Sequence, residues 1–357
     1  MTGARWPRHE RALEAARRAG ADAVLATHIP TVTWLTGYAA HIGVGPIPWS
    51  HTPVAILAPG ETPVLIVSED EVEGAAATGC EVLSYPGYSI GPLDPMGHLE
   101  QVLAAAVAGR VMATEPAFLP APLARGLAWV DASADLSVAR AVKDPDELVK
   151  IRASVRVADA GQQAVRDHAA PGASELGLWT HVAAAMEREA SAPIPWVADL
   201  VSRPGMDRWE GPPGLRLMSE GELVIADLSP RRDGYWADSC STIAVGEPTA
   251  TARAIHRRIL TRLEQAIAAV KPGVVAGNLD ALVREGLNYP HHSGHGIGAS
   301  FHEEPRIVPG WPTVLEPGMV LALEPGWYGD GEGVRLEWIV LVTGGGCEVL
   351  SGHRLDL

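Results

Sequence analysis

Apolar positions in the first part of the chain follow two alternating periods, one helical and one extended. Residues 7–19 carry apolar side chains at helical spacing and end before a glycine, which predicts a helix with a left-handed C-terminal cap. Short apolar runs over 21–27 and 31–38 predict strands, and the runs 52–58 and 62–68 flank a Pro-Gly turn, which indicates a β-hairpin. Two further helical stretches, each followed by a short apolar strand, complete the pattern of an α/β domain.

A strongly capped helix marks the start of a second domain. Asp144 suits the N-cap position, Pro145 suits the first helical position, and Glu147 completes a capping box. We therefore expect an N-terminal domain over residues 1–142 and a second domain over residues 143–357.

The second domain mixes helices with strands that are not in regular alternation. We expect a helix over 174–190, then two strands, 222–230 and 234–245, joined by a polar turn. A long helix over 251–270 and a shorter one over 277–287 follow, and the rest of the chain is predicted to form strands and turns.

Composition excludes several classes of protein. The 357 residues are 47% hydrophobic and 20% charged, which is ordinary for a globular chain. With 28 basic and 43 acidic side chains the net charge is −15, so we expect no nucleic-acid partner. No apolar run reaches membrane-spanning length, the N-terminus lacks a signal-peptide core, and three cysteines are too few for a disulfide framework. We expect a cytoplasmic protein with no membrane partner.

Five residues with metal-ligating side chains interrupt apolar or glycine-rich segments of the second domain; they are Asp227, Asp238, His295, Glu324 and Glu337. A single aspartate in a strand is usually a satisfied polar residue, but four carboxylates in apolar strands require compensating positive charge. Little basic charge is nearby in the sequence. Four carboxylates and one imidazole suit two hard or borderline ions such as Mn²⁺, Co²⁺, Fe²⁺ or Zn²⁺, which can share bridging carboxylates and a hydroxide.

The segments around these residues read VIADLSPRRDGYWADSC, HHSGHGIGASFHEEP, LALEPGWYG and GVRLEWIVLVT. They resemble the pita-bread metallopeptidases, which include methionine aminopeptidase, aminopeptidase P, prolidase and creatinase. TVTWLTGY and AVKDPDELVKIRAS are similar to the N-terminal domain and linker of the aminopeptidase P, prolidase and creatinase branch. The resemblance implies an α/β N-terminal creatinase-like domain plus an α+β pita-bread C-terminal catalytic domain.

The resemblance also implies a role for each ligand. Asp227 would chelate one metal, His295 and Glu324 would bind the second, and Asp238 and Glu337 would bridge both. Mn²⁺ is the first candidate, with Co²⁺, Zn²⁺ or Fe²⁺ as alternatives.

Catalytic and substrate-contacting residues follow from the same motifs. Glu324 would hold the attacking water and take its proton, and His302 would hydrogen-bond the oxyanion of a tetrahedral intermediate. His291 would line the pocket, and Arg335 would support a ligand or contact the substrate.

Three positions depart from the family pattern. The family histidine that contacts the substrate and helps to protonate the leaving amine is replaced by Trp209-Glu210, and we expect Arg208 to keep Glu210 anionic. Trp209 is expected to narrow the substrate pocket. Cys240 and Ser241 stand where the family usually has threonine and arginine.

Three functions remain open on this basis. The first is an Xaa-Pro aminopeptidase or dipeptidase in which a metal-bridging hydroxide attacks the amide carbonyl of a small peptide. The second is a pita-bread enzyme recruited to creatinase-like C–N hydrolysis or lyase chemistry on a small metabolite, with weak or no peptidase activity. The third is an inactive binding module, which intact metal ligands disfavour.

The branch also implies a homodimer in which one N-terminal domain covers the partner's active site. The stretch 34–51 is predicted to be a strand and a long loop, and its Trp34, Tyr38, His41 and Trp49 could supply substrate contacts across such an interface. The alternative is an ordinary surface loop.

Overall fold

The computed structural model describes residues 6–41, 49–88, 90–107, 109–329 and 331–357. The chain divides into two compact units, Met1–Arg140 and Ala141–Leu357. No helix within the described ranges is both long and apolar enough to cross a membrane.

The helices and strands are numbered in chain order. The helices are α1 Pro7–Ala19, α2 Ile29–Thr36, α3 Val72–Ala76, α4 Pro95–Val107, α5 Ala121–Arg125, α6 Ser133–Ala141, α7 Pro145–His168, α8 Glu175–Ala190, α9 Ala250–Ala269 and α10 Ala276–Arg284. The strands are β1 Ala23–Ala26, β2 Val54–Leu57, β3 Val64–Ser68, β4 Glu81–Tyr85, β5 Val111–Thr114, β6 Ala128–Asp131, β7 Trp196–Ser202, β8 Leu223–Arg232, β9 Tyr235–Trp236, β10 Ser239–Ala244, β11 Gly294–Gly296, β12 Glu303–Ile307, β13 Val320–Leu323, β14 Gly326–Tyr328, β15 Gly333–Arg335, β16 Trp338–Val342 and β17 Cys347–Val349.

The N-terminal unit is built on one six-stranded mixed sheet in the order β4-β3-β2-β1-β5-β6. The predicted hairpin is confirmed, because β2 and β3 pair antiparallel with Val54 opposite Ile66. The first helix is also confirmed, and Gly20 ends it in the left-handed conformation at φ 82°. Buried apolar side chains cover both faces of the four central strands, so β1, β2, β3 and β5 read as continuous apolar runs, whereas the edge strands β4 and β6 are partly exposed.

The strand predicted over 31–38 is wrong, because these residues belong mainly to helix α2. The β-branched and aromatic composition favours a strand, but Pro30 sits in the first turn and Gly37 caps the C-terminus in the left-handed region. Thr31–Thr36 are all buried, so the segment has no polar face and shows no helical period.

This correction also changes the expected role of the stretch 34–51. Trp34 is fully buried in the core of the N-terminal unit and offers no surface for a substrate contact. The Tyr38 hydroxyl donates to Glu71 at 3.2 Å, and the Trp49 ring contacts Tyr88 edge-on. His41 is exposed. The predicted loop falls partly on residues 42–48, which lie outside the described residues.

The C-terminal unit contains two main sheets, each covered by a pair of helices. Strands β10-β8-β7 form one sheet, onto which α7 and α8 pack through buried side chains such as Val157 and Val182. Strands β12-β11-β13-β16-β17 form the other, and α9 and α10 pack against it through Ile259 and Leu279. The helix pairs leave the opposite sides of these strands free to carry polar side chains.

The predicted capping box at the start of α7 is confirmed. The Asp144 side chain accepts from the backbone of Glu147, and the Glu147 carboxylate accepts the Asp144 backbone N–H at 2.8 Å. Ser174 caps α8 by accepting the N–H of Gly177 at 3.0 Å. Strand β7 was not expected from the sequence, and it matters for the site because it carries Asp199, whereas β12 and β17 lie in the region predicted to form strands and turns.

Candidate metal centre

The five predicted ligands come from both sheets of the C-terminal unit. Asp227 lies in β8, Asp238 just before β10, His295 in β11, Glu324 directly after β13, and Glu337 just before β16. The two sheets are joined beside the site, because the Glu337 N–H donates to the Cys240 carbonyl at 2.9 Å. Five side chains, one in or beside each of the strands β8, β10, β11, β13 and β16, therefore lie together at one site.

The strand that carries His295 is held closely between two others. β11 pairs antiparallel with both β12 and β13, and a Cβ on Gly296 would collide with the Glu304 carbonyl oxygen. The glycines of the GHG segment are thus required by close backbone approach.

His295 presents one nitrogen to the carboxylates. Its Nδ1–H donates to the Gly296 carbonyl at 2.9 Å, which leaves the lone pair of Nε2 facing the site. Nε2 lies 3.5 Å from Asp238 Oδ2 and 3.6 Å from Glu324 Oε1. The hydroxyl of Ser229 donates to the other Asp238 oxygen at 2.9 Å and orients that carboxylate.

Glu337 is the least compensated group of the site. It is 1% exposed, and neither carboxylate oxygen has a hydrogen-bond partner within the described ranges. Burial, together with the charges of Asp238, Asp227 and Glu324, raises its pKa well above the usual range. A buried carboxylate in this position requires a nearby cation to be ionised at neutral pH.

Among the residues that the structure describes, Asp227 has one cationic neighbour. Arg335 Nη2 lies 2.7 Å from Asp227 Oδ2 and 3.2 Å from Asp199 Oδ2, so this buried arginine bridges two carboxylates. Burial raises the pKa of Asp227 well above its usual range, Arg335 opposes that shift, and Asp238 adds to it. One arginine cannot neutralise the whole group of carboxylates.

These residues fit divalent cations. The ligand atoms of Asp238, His295 and Glu337 all lie within 4.8 Å of one another, and all three residues are buried. Hard carboxylate oxygens and one borderline imidazole nitrogen are a donor set for first-row divalent ions. The orphaned Glu337 oxygens are the feature that such ions would satisfy.

Glu324 is held in its anionic form. Burial alone would raise its pKa, but a hydrogen bond from His292 and the charges of His292 and His291 lower the pKa to about 2. His292 Nε2 lies 2.7 Å from Glu324 Oε1. Sequence reasoning missed His292, although the His-His doublet before the glycine-rich segment was a signal for it.

The remaining predicted residues line a cleft of about 260 Å³ beside the ligands. His291 accepts from the Tyr328 hydroxyl at 2.8 Å and donates from Nδ1 to the His292 carbonyl at 2.8 Å. The His302 ring lies 4.2 Å from the His295 ring, centroid to centroid. Burial and the neighbouring His295 lower the pKa of His302 to about 4, so the ring is neutral at pH 7 and can donate one N–H.

Trp209 forms one wall of the cleft. Its ring centroid lies 5.4 Å from that of His291, and the Arg335 guanidinium lies 5.8 Å from the Trp209 ring. Arg208, which was expected to favour the anionic form of Glu210 as its neighbour in the sequence, donates to both oxygens of the buried Glu175 carboxylate at 2.8 and 3.0 Å.

Two further residues lie near the site. Asp199 was not predicted from the sequence, and Cys240 was noted there only as a departure from the family pattern. Asp199 enters the cleft from the unexpected strand β7 and accepts from Gly211 N–H at 2.9 Å. Cys240 is fully buried and its thiol contacts the Arg335 carbonyl at 3.5 Å, so it supports the site from behind. Burial raises the pKa of the Cys240 thiol well above the usual range, and this thiol is therefore a poor nucleophile.

The two-sheet architecture and the buried carboxylate–imidazole cluster define a metallohydrolase with a pita-bread catalytic domain. Residues 149–344 match the model of Metallopeptidase family M24, and residues 8–142 match the Creatinase/Prolidase N-terminal domain. The chain belongs to Metallopeptidase family M24, in its prolidase and aminopeptidase P branch.

Named relatives are consistent with this assignment. The chain is 33% identical to the probable dipeptidase PepE of Mycobacterium tuberculosis over 266 residues. This alignment covers 71% of this chain and 71% of PepE. The chain superposes on the dipeptidase PepE of Mycobacterium ulcerans with a TM-score of 0.77 and 27% identity, over 98% of this chain and 96% of that one. The fold also matches the Xaa-Pro dipeptidase of Bacillus anthracis with a TM-score of 0.82, at 24% identity and 98% coverage of both chains.

Proposed function

We propose that this enzyme is a dinuclear metal-dependent dipeptidase that cleaves the amide bond before proline in small peptides. The observation that carries the proposal is the buried Glu337 carboxylate, which has no hydrogen-bond partner among the described residues and lies in one cluster with Asp238 and His295. The relatives named as dipeptidases and as an Xaa-Pro dipeptidase support the substrate class.

Five residues would hold the metals; they are Asp227, Asp238, His295, Glu324 and Glu337. Mn²⁺ or Co²⁺ suits four carboxylates and one imidazole, with Zn²⁺ and Fe²⁺ as alternatives. Two such ions, when bound, supply Lewis acidity for a carbonyl and a water of lowered pKa.

The side chains of the chain perform the proton and hydrogen-bond work. Glu324, which is anionic, would accept the proton of the attacking water, and the departing amine would take its proton from solvent because Trp209 offers no acid there. His302, whose ring is neutral at pH 7, would donate its N–H to the oxyanion of the tetrahedral intermediate. Both groups face the same cleft, so they can act on one bound amide.

The cleft favours a short substrate. Its volume of about 260 Å³ lies below the ~300–1,000 Å³ of pockets that hold drug-sized ligands. His291 and Trp209 would contact the substrate from one side, and Arg335 behind them would fix the position of Asp227. A dipeptide with a compact apolar proline ring suits these aromatic walls.

Metal removal tests the first half of the proposal. We expect about two divalent ions per chain by elemental analysis, loss of activity on dialysis against a chelator, and recovery with Mn²⁺ or Co²⁺. Asp238→Ala or Glu337→Ala should abolish turnover and lower metal content, because each removes a shared ligand. Full activity of a metal-free preparation would refute the metal role.

A substrate panel tests the second half. Xaa-Pro dipeptides, longer Xaa-Pro peptides, non-proline dipeptides and small amides such as creatine are compared by steady-state kinetics with the metal-loaded enzyme. The proposal expects the highest kcat/KM for Xaa-Pro dipeptides. Preference for a small non-peptide amide would instead support creatinase-like C–N chemistry.

We further propose a cytoplasmic homodimer with an N-terminal domain over residues 1–142 and a catalytic domain over 143–357. The division into compact units after Arg140 and the family matches ending at 142 and starting at 149 support this boundary. The acidic composition and three cysteines support a cytoplasmic location.

A further inference from the structure

A buried ion pair between Lys143 and Glu303 holds the loop that carries His302. Phe301 and His302 both line the cleft, and Glu303, the next residue, begins strand β12. The Glu303 carboxylate lies 2.7 Å from Lys143 Nζ. Both side chains are only 1% exposed.

The two oxygens of Glu303 have different partners. Oε2 accepts from Lys143, and Oε1 accepts the backbone N–H of Ser300 at 3.0 Å. Through this second bond the carboxylate holds the backbone two residues before His302. The loop conformation at Ser300 is thereby tied to the position of Lys143.

Lys143 is itself fixed at its base. Its backbone N–H donates to the Gly318 carbonyl at 2.9 Å, and Nζ also donates to the Ala141 carbonyl at 3.2 Å. The lysine therefore has little freedom to follow the loop. Its ammonium group therefore holds the Glu303 carboxylate in one position.

Gly298 shows how closely the loop packs on this pair. A Cβ there would lie 2.6 Å from Glu303 Oε2 and 2.8 Å from Lys143 Cε, so no larger residue fits without displacing the pair. The Gly298 carbonyl also accepts the N–H of Trp236 at 2.8 Å. The loop is thus held at Gly298 and Ser300, directly before the two residues that face the cleft.

A buried ion pair is a poor source of net stability, because desolvation offsets most of the attraction between its charges. Removing one partner of such a pair is strongly destabilising, because it leaves a buried charge without compensation, so the two side chains hold each other in one geometry. Here the geometry that is fixed belongs to the loop bearing the oxyanion donor of the proposed reaction.

We propose that Lys143 and Glu303 are positioning residues that hold His302 at the cleft, in support of the function proposed above. Neither side chain contacts the substrate. Their effect on the reaction passes through the placement of His302, for which a displacement of about 1 Å can cost ~10²-fold in rate.

A double-mutant cycle tests this route. Glu303→Gln, which removes the charge and retains an oxygen for Ser300, is assayed on an Xaa-Pro dipeptide alone and in a His302→Ala background. We expect kcat to fall ~10–100-fold in the first case with KM and metal content unchanged, and less than twofold in the second. Glu348→Gln, which breaks the exposed ion pair with Arg152, is the control and should leave kcat unchanged.

A spectroscopic arm does not depend on activity. In protein isotopically labelled at histidine, the NMR signals of the His302 ring are assigned by their absence in His302→Ala. They should form a single sharp set in wild type and should be shifted or broadened in Glu303→Gln. If the wild type cleaves no dipeptide, the proposed function fails while these signals still decide the positioning role.

Two results would overturn the inference. One is an equal loss of kcat from Glu303→Gln with and without His302, which would mark a general structural role. The other is unchanged His302 signals in the variant. Should Glu303→Gln fail to fold, Lys143→Met, which keeps the Ser300 bond, is measured in the same way with the same two outcomes.

Discussion

At the residue scale, His302 and Glu324 have different surroundings. The difference indicates that His302 is a hydrogen-bond donor to the oxyanion and that Glu324 is a metal ligand. The Glu324 Oε1 atom lies 3.6 Å from His295 Nε2, the nitrogen that faces the carboxylates, whereas the His302 ring packs against the His295 ring at 4.2 Å between centroids. Loss of Glu324 should therefore affect metal binding, and loss of His302 should not.

The corresponding prediction compares two variants. His302→Ala should lower kcat by ~10²–10³ while metal content stays at the wild-type level, as for loss of one oxyanion donor. Glu324→Gln should lose metal affinity and turnover together, because an amide is a weak ligand for hard cations. Elemental analysis beside steady-state kinetics measures both, and loss of metal from His302→Ala would show that His302 is itself a ligand.

The second prediction at the residue scale concerns the rate of Xaa-Pro cleavage, and it depends on Trp209. An indole N–H is too weak an acid to protonate a leaving amine, and a positioned general acid is worth ~10²–10⁴ in rate. Wild-type cleavage of Xaa-Pro peptides should therefore be slow by about that factor compared with family members that carry a histidine there. Trp209→His should raise kcat on Xaa-Pro dipeptides and admit longer peptides into the widened cleft.

Dipeptides and tripeptides are compared for both proteins under the same metal loading. Trp209→Phe serves as the matched control, since it widens the cleft without adding an acid. Rapid wild-type cleavage would mean that another group supplies the proton, and His292 beside Glu324 would be the first residue to examine.

At the scale of elements, the loop carrying Trp209 is anchored by the first residue of α8. The buried Glu175 carboxylate accepts from Arg208, from the backbone and hydroxyl of Ser202, and from Gly214. Burial opposes its ionisation, but these hydrogen bonds prevail and lower the pKa of Glu175 to about 2. The anionic form is thus the one that the fold stabilises.

The sign of the pH dependence follows from that shift. The folded pKa lies below the ordinary value of 4.5, so the stabilisation is complete above about pH 5 and is lost as the pH falls towards 2. Glu175→Gln should lower the free energy of unfolding at pH 7 by about 1–3 kcal/mol and flatten its decline between pH 5 and 2. Denaturant titrations across this range measure both effects.

The control for that series is Glu285→Gln, which removes an exposed partner of Arg262 and should change stability at pH 7 by less than about 0.5 kcal/mol. An equally steep acid decline in Glu175→Gln and wild type would mean that other carboxylates dominate it.

At the scale of the whole molecule, the open prediction is assembly. We expect sedimentation equilibrium at micromolar concentration to give twice the chain mass of 37.6 kDa. If His41 and Trp49 contribute across the interface, His41→Ala and Trp49→Ala should raise KM without changing the mass. A strict monomer with full activity would exclude a shared site.

The elements that could be predicted from the sequence are those whose signals are local. Helix α7 has its capping box within four residues, and the β2–β3 hairpin has its Pro-Gly turn between two apolar runs. Helix α2 was mistaken for a strand because it is buried on all sides, and burial removes the polar face by which a helix is recognised. Strand β7, which reads WVADLVS, was missed because Asp199 interrupts its apolar run.

For the site, the sequence by itself determined the identity of the metal-ligand candidates, since a carboxylate in an apolar strand is conspicuous wherever the strand lies. Their convergence with His291 and His302 on one cleft was implied by the resemblance to the pita-bread metallopeptidases. Only the tertiary structure decided the partners that are distant in sequence: Asp199 with Arg335, His292 with Glu324, and Lys143 with Glu303. These contacts depend on which strands and loops become neighbours, and that pairing is set by the packing of two sheets and their helices, not by any local pattern.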